Sequence, residues 1–205
     1  MLTTALRFIV PVCLLVAVTS GCRSHTTSAE ARALYADAAR HDPRGKPYVI
    51  GVADVVRVGV WKDESLSADA IVRPDGTITM PLVGELLAAG RTAAELQRDA
   101  TTRLAALVKD ASVTVSVVEI NSYRFTVAGN VEHPGLFSAR YYLTVSEALA
   151  LAGGPNRYAE TDEVVIVRWT DGKLVRIPIN YEAILSGKSP EQDIVVLAGD
   201  SVRVP

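Results

Sequence analysis

Six carboxylates, Asp54, Asp63, Glu64, Asp75, Asp162 and Glu163, are the residues of this 205-residue chain whose chemistry is of the type that cleaves a glycosidic bond. That reaction needs two carboxyl groups at a set separation, one to protonate the leaving oxygen and one to attack or to activate water. Their local settings point elsewhere. Asp75 lies between Pro74 and Gly76, and Asp171 precedes Gly172, both turn contexts in which Asp bonds nearby backbone. Asp54 reads as a strand-end or cap residue, and Asp162 with Glu163 as a solvated loop. His25, His41 and His133 are too far apart for a compact metal motif. No glycine-rich run followed by lysine offers a phosphate cradle, and Ser146 lacks the His and Asp partners of a nucleophilic triad. The chain reads as a non-enzyme with no cofactor and no metal.

Trp61, Trp169 and the adjacent Tyr141 and Tyr142 belong to types that stack on sugar rings or anchor cores and interfaces. Packing is the preferred reading, and no ligand contact is assigned from sequence. With 21 Lys and Arg against 23 Asp and Glu, no basic run and aromatic residues at only 6%, nothing attracts nucleic acid.

These side chains need elements to hold them. Val55, Val56, Val58 and Val60 form a β-branched run of strand length that breaks before Asp63 and Glu64. Pro74 presets φ for a turn, Asp75 can bond the backbone ahead of it, and Gly76 accepts a positive φ, so a hairpin is expected between the flanking apolar strands. A helix follows from Thr92, with Leu96, Ala100, Leu104 and Leu107 on one face and a capping box from Thr92 to Glu95. Val113, Val115 and Val117 then alternate with polar residues, as a half-buried strand requires.

A boundary falls at residues 119–122, after which residues 123–129 start a new strand. Pro134 and Gly135 mark a turn, and residues 136–139 return. Thr144 and Glu147 make a second capping box, Val145, Ala148, Leu149 and Ala152 give the helix its apolar face, and Gly153, Gly154 and Pro155 stop it. Residues 164–169 and 174–179 flank the Asp171 and Gly172 turn, and residues 198–204 supply a closing strand. The class is α+β, a small domain of strands with one helix followed by a β-grasp domain.

The first residues speak to compartment. Arg7 precedes an eleven-residue apolar run, residues 8–18, and Thr19, Ser20, Gly21 and Cys22 follow in the layout of a secretory signal. Eleven helical residues reach only about 17 Å, too short for a hydrocarbon core of about 30 Å. Cys22 after Ser20 and Gly21 resembles a bacterial lipoprotein box, in which the cysteine is lipidated and becomes the mature N-terminus, although Thr19 stands where leucine is usual. Cys13 would leave with the signal, so one sulfur remains and no internal disulfide can form. The alternative is an incidental thiol after an ordinary signal or short anchor. Several acyl chains would anchor the chain firmly in lipid, and by similarity to lipoprotein sorting, Arg23 in place of Asp favours the outer membrane.

The run from Tyr48 to Trp61, the Arg73, Pro74, Asp75, Gly76 turn and the helix from Thr92 together resemble the N-terminal domain of Wza-type polysaccharide export outer-membrane lipoproteins. Residues 127–131, Pro134, Gly135, the Leu143 to Leu149 run, Gly153, Gly154, Gly199 and Asp200 resemble the SLBB domain, a soluble-ligand-binding β-grasp that follows it. The family commonly opens with Gly-Pro-Gly-Asp, whereas Gly51, Val52, Ala53 and Asp54 stand here, which implies a less extreme backbone. The organisation is then residues 1–21 signal peptide, 22–46 lipidated N-terminus and tether, 47–120 export domain and 121–205 SLBB domain.

The resemblance implies a lipid-anchored component of the outer membrane, facing the periplasm and oligomerising into a homomeric ring through which a capsular or exopolysaccharide passes. Its implied partners are an inner-membrane polysaccharide copolymerase, often linked to a tyrosine kinase, and the exported polymer. Members that span the outer membrane do so with a C-terminal amphipathic helix. Here the sequence ends at Pro205 on the closing strand, from which a separate outer-membrane pore partner, such as a β-barrel, is expected. The alternative is a periplasmic carbohydrate-binding lipoprotein that forms no conduit, and a hydrolase trimming the polymer ranks last.

Overall fold

The computed structural model describes residues 28–109 and 111–205. The chain opens with α1 (Ser28–Arg40), then β1 (Val55–Val60), β2 (Asp63–Ile71), β3 (Thr77–Met80), β4 (Gly84–Leu87), α2 (Ala93–Ala105) and β5 (Val113–Glu119). An antiparallel sheet in the order β2-β1-β5 carries the first domain, and β3 with β4 makes a separate two-stranded ribbon. Val56, Val58 and Val60 turn one face of β1 inward, where they share a core with Ile78, Met80 and Leu86 of the ribbon and Leu96, Ala100 and Leu104 of α2. The 3.6-residue spacing of those α2 positions is what puts them on a single stripe. Thr92 caps α2 reciprocally: its hydroxyl accepts from the Glu95 N–H, and the Glu95 carboxylate accepts from the Thr92 N–H.

Two expectations are corrected here. The turn at Pro74 forms and closes a tight loop, with the Gly76 N–H donating to the Arg73 carbonyl at 2.8 Å, the Arg73 N–H donating to the Thr77 carbonyl at 2.9 Å and Gly76 at φ +81°, but the two flanking strands do not go on to form a ladder. Val72 is bonded to Asp54 and Ala53, and β3 pairs with β4 instead. β1 stops before Asp63 and Glu64, as its composition predicts, and those two residues begin β2, whose mostly polar sequence is supported by pairing with β1 through Val60↔Asp63 to Val55↔Ile71. Leu107 lies beyond the end of α2 and is 61% exposed, because the chain tightens after Ala105 and the Leu107 N–H turns back to the Leu104 carbonyl.

The second domain runs β6 (Arg124–Gly129), β7 (Gly135–Ser138), α3 (Val145–Leu151), β8 (Val164–Thr170), β9 (Lys173–Ile179), α4 (Tyr181–Leu185) and β10 (Ser201–Val204). Its sheet has the order β7-β6-β10-β8-β9, with β10 parallel to β6 and every other pair antiparallel. Thr144 and Glu147 cap α3 as the spacing predicts. Gly153 and Gly154 adopt φ +83° and +84° past its end, and Asp171 and Gly172 take φ 50° and 72° at the β8–β9 turn, the pairing of positive angles that suits strand twist. Beneath the sheet end, the buried Arg168 guanidinium donates to both oxygens of Asp200, at 3.0 and 2.7 Å, and to the Val195 carbonyl at 2.8 Å. Asp200 also accepts the Leu197 N–H at 2.7 Å, so the pair's hydrogen-bonding needs are met inside the fold.

The segment read as a tether, with a short helix over residues 29–40, does form that helix as α1, and the helix is docked rather than free. Tyr35 and Ala38 of α1 are buried in the core of the second domain, and the Tyr35 hydroxyl donates to the Pro178 carbonyl at 2.6 Å. A helix at the start of the chain therefore docks on β9, skipping over the first domain. Among the described residues, no helix is long and apolar enough to cross a membrane.

Candidate functional site

The residues with the most concentrated polar contacts meet where the two domains join. Asp54 is fully buried. Its Oδ2 accepts from the Tyr48 hydroxyl at 2.7 Å, the Gly51 N–H at 2.8 Å and the Ser122 hydroxyl at 3.1 Å. Its Oδ1 accepts from the backbone N–H groups of Asn121 at 2.8 Å and Ser122 at 2.7 Å. Asp54 is thus more than the strand-end cap expected from sequence, since it clasps the first domain to the first residues of the second. The lone pairs a catalytic carboxylate would offer a substrate are taken.

Two backbone features serve the clasp. A Cβ on Gly51 would stand 2.3 Å from both Cβ and Oγ of Ser122, so only glycine permits the approach. Ala53 has φ 73°, a left-handed conformation that contradicts the expectation of a less extreme backbone. Its N–H donates to the Val72 carbonyl and its carbonyl accepts from the Asn121 amide, contacts that hold the angle despite the Cβ. Burial, together with the neighbouring Asp54 charge, raises the Tyr48 phenol far above its ordinary pKa, so it remains a donor across the physiological range.

Beside the clasp the junction is creased. Tyr48, Ile120, Tyr123, Arg140, Tyr141 and Tyr142 surround a slot of about 20 Å³ with almost wholly apolar walls. Tyr142 packs edge-on against Tyr123, with ring centres 5.1 Å apart and planes at 71°, and tilts toward Tyr48 at 6.5 Å. An open cleft of about 270 Å³ adjoins it, lined by Val118, Glu119, Asn121 and again Arg140.

The other residues singled out in the sequence lie apart. Trp61, Trp169 and Tyr141 are 72%, 69% and 68% exposed, so of the four only half-buried Tyr142 packs against a core. Trp61 sits at the β1–β2 connection and Trp169 faces exposed Leu174 across the β8–β9 ladder, positions whose side chains leave the sheets at their ends. Asp63 bonds Ser65; Asp75 bonds Thr77 and Arg73. Asp162 and Glu163 are exposed. His41 rests against Asp37, and among the described residues no three His, Cys, Asp or Glu side chains converge as metal ligands would. Cys22 and His25 fall outside the described residues.

The two halves of this junction coincide with two known domain families. The model of the family described as polysaccharide biosynthesis/export protein matches residues 42–118, and that of the SLBB domain matches residues 124–183. The chain carries both domains, the polysaccharide export domain first and the SLBB domain second. Its α+β architecture is the export domain followed by the SLBB domain, and Asn121 and Ser122, the partners of Asp54, lie between the two matched stretches. The chain is similar to the EPS I polysaccharide export outer membrane protein EpsA of Ralstonia solanacearum, 29% identical over 185 residues, covering 78% of this chain and 48% of that protein. It is 31% identical over 125 residues to the exopolysaccharide production protein ExoF of Rhizobium meliloti, covering 56% of this chain and 30% of the relative. The polysialic acid transport protein KpsD of Escherichia coli is 28% identical over 145 residues, covering 69% of this chain and 25% of the relative. The chain spans about half the length of the EpsA relatives and less of the others.

Sequence reasoning missed Arg140, Ile120 and the clasp partners Asn121 and Ser122 as site residues. The available signal was the Gly51 and Asp54 spacing: a glycine three residues before a carboxylate in the family's opening motif asks which backbone approaches so closely.

Proposed function

We propose that this chain is a periplasm-facing subunit of a capsular or exopolysaccharide exporter, lipid-anchored to the outer membrane through Cys22 and assembled with its own copies into a ring around the polymer. It catalyses nothing; its work is to form and hold the passage, with an inner-membrane copolymerase on the far side. The observation that carries this reading is the tandem of export and SLBB domains, matched in that order and clasped through Asp54. Relatives similar over 69–78% of this chain are named for polysaccharide export and transport. A ring requires two unlike surfaces on each subunit, because a self-complementary patch closes a dimer instead. Exposed Trp61 on the export domain and exposed Trp169 with Leu174 on the SLBB domain supply unlike apolar surfaces of that kind.

Deletion of the gene in its own host is expected to abolish surface or extracellular polysaccharide, and a Cys22→Ser copy is expected to leave the outer-membrane fraction and fail to restore it. Unchanged secretion of every polysaccharide after clean deletion would refute the reading. The crease favours a second reading, a monomeric carbohydrate-binding lipoprotein without a conduit. Crosslinking and sizing of the detergent-extracted chain separates the two, a closed oligomer supporting the exporter and a monomer the binder.

A further inference from the structure

The interdomain crease has the chemistry of a saccharide subsite, and we propose that it takes a sugar unit bearing an acetyl group, with the acetyl methyl in the aromatic slot and the pyranose ring in the adjoining cleft. This inference rests on the export reading for its class of ligand. The slot, about 20 Å³, holds one small group. A water there would find few partners. The Tyr48 hydroxyl is committed to Asp54 and Ser122, and the Tyr123 hydroxyl to the Val196 carbonyl and the Leu143 N–H, so these side chains offer the slot their ring carbons. Ile120 adds an aliphatic wall. A methyl suits such walls, and a hydroxyl does not.

Arg140 lines both the slot and the cleft, is exposed, and makes no hydrogen bond or ion pair with any described residue. Its fork of donors is free for an acetyl carbonyl held at the slot mouth. In the cleft, Glu119 offers acceptors to sugar hydroxyls, and its Oε2 is steadied by the Asn121 amide at 3.2 Å. Tyr141, largely exposed, adds an aromatic side chain to the wall of the slot.

The test is calorimetric titration of the full-length lipidated chain in detergent with chitotetraose, and with cellotetraose, which has the same linkage and length without acetyl groups. Chitotetraose is expected to bind about tenfold more tightly or better, the scale on which a small pocket discriminates. Arg140→Gln, an exposed substitution, is expected to bring its affinity down to that of cellotetraose, and Ile120→Phe, which fills the slot, to do the same. Equal affinity for the two oligosaccharides, absence of chitotetraose binding at millimolar concentration, or full binding by Arg140→Gln would each overturn the proposal. Loss of secretion on gene deletion combined with any of those results leaves the exporter standing and removes this subsite alone.

Discussion

Asp54 and Ser122 join the two domains through one carboxylate: the Ser122 N–H donates to Oδ1 at 2.7 Å and its hydroxyl to Oδ2 at 3.1 Å, across 68 positions of sequence. The remaining acceptor capacity goes to Gly51, Asn121 and Tyr48. A single side chain therefore satisfies backbone donors on both sides of the boundary, and the orientation of the crease walls depends on it. Tyr48 stands on the export side and Tyr142 on the SLBB side.

Removing the acceptor leaves three backbone N–H groups without partners. Each buried orphan costs about 1–3 kcal/mol, so Asp54→Ala is expected to lose at least about 3 kcal/mol in urea unfolding. Asp54→Asn is expected to lose nearly as much, because its amide NH₂ turns a donor toward donors. Stability within about 0.5 kcal/mol of the parent would show that the clasp contributes nothing.

The close approach of Gly51 to Ser122 predicts a coupled pair. Gly51→Ala forces a Cβ into contact at 2.3 Å and is expected to destabilise by about 2 kcal/mol or more. Ser122→Gly removes both atoms it would meet at the cost of one hydroxyl hydrogen bond network. In the double-mutant cycle the alanine penalty is expected to shrink by at least about 1 kcal/mol. Additive effects would mean that the obstruction lies elsewhere.

Ala53 occupies a left-handed angle that glycine tolerates without its Cβ penalty of about 1–2 kcal/mol. Part of that gain is cancelled by the greater freedom of glycine in the unfolded chain. Ala53→Gly is expected to raise stability by about 0.5–1 kcal/mol, read as a higher midpoint in thermal or urea unfolding. A loss would show that the surrounding bonds, and not the angle, set the energy at this residue.

What could be read in advance was governed by distance along the chain. Both capping boxes, Thr92 with Glu95 and Thr144 with Glu147, and the positive angles at Gly76, Gly153 and Gly172 follow from neighbours within a few residues. The β-grasp order was legible because its strands are β-branched and its turns carry glycine. β2 was not, since only Leu66 of its nine residues is buried and its pairing comes from β1. The docking of α1 on the second domain hangs on Tyr35 meeting Pro178, 143 positions away, for which no local pattern exists. The crease likewise draws Tyr48, Ile120 and Tyr142 from three separate stretches. The exposure of Trp61 and Trp169 also escaped, because aromatic type alone does not distinguish a core from an assembly surface.

Acid should loosen the export domain through Asp99. Burial raises its pKa, but hydrogen bonds from Arg103 at 3.1 Å and Arg91 at 3.0 Å more than offset this and hold the carboxyl below its ordinary value. A depressed folded-state pKa contributes stability that is fully present above the unfolded value, about 3.9, and is lost as the pH falls through the folded one. These pairs tie α2 to the loop before it, while Arg103 also reaches the Glu85 carbonyl of β4 at 3.1 Å. They are partly solvated, so their worth is about 0.5–1 kcal/mol. Asp99→Asn is therefore expected to be less stable than the parent by about that amount at pH 7, with the difference shrinking below about pH 4 and disappearing once the folded-state pKa is passed. Urea midpoints at pH 7, 4 and 3 measure it, and a gap that stays constant with pH would assign the effect to shape rather than charge.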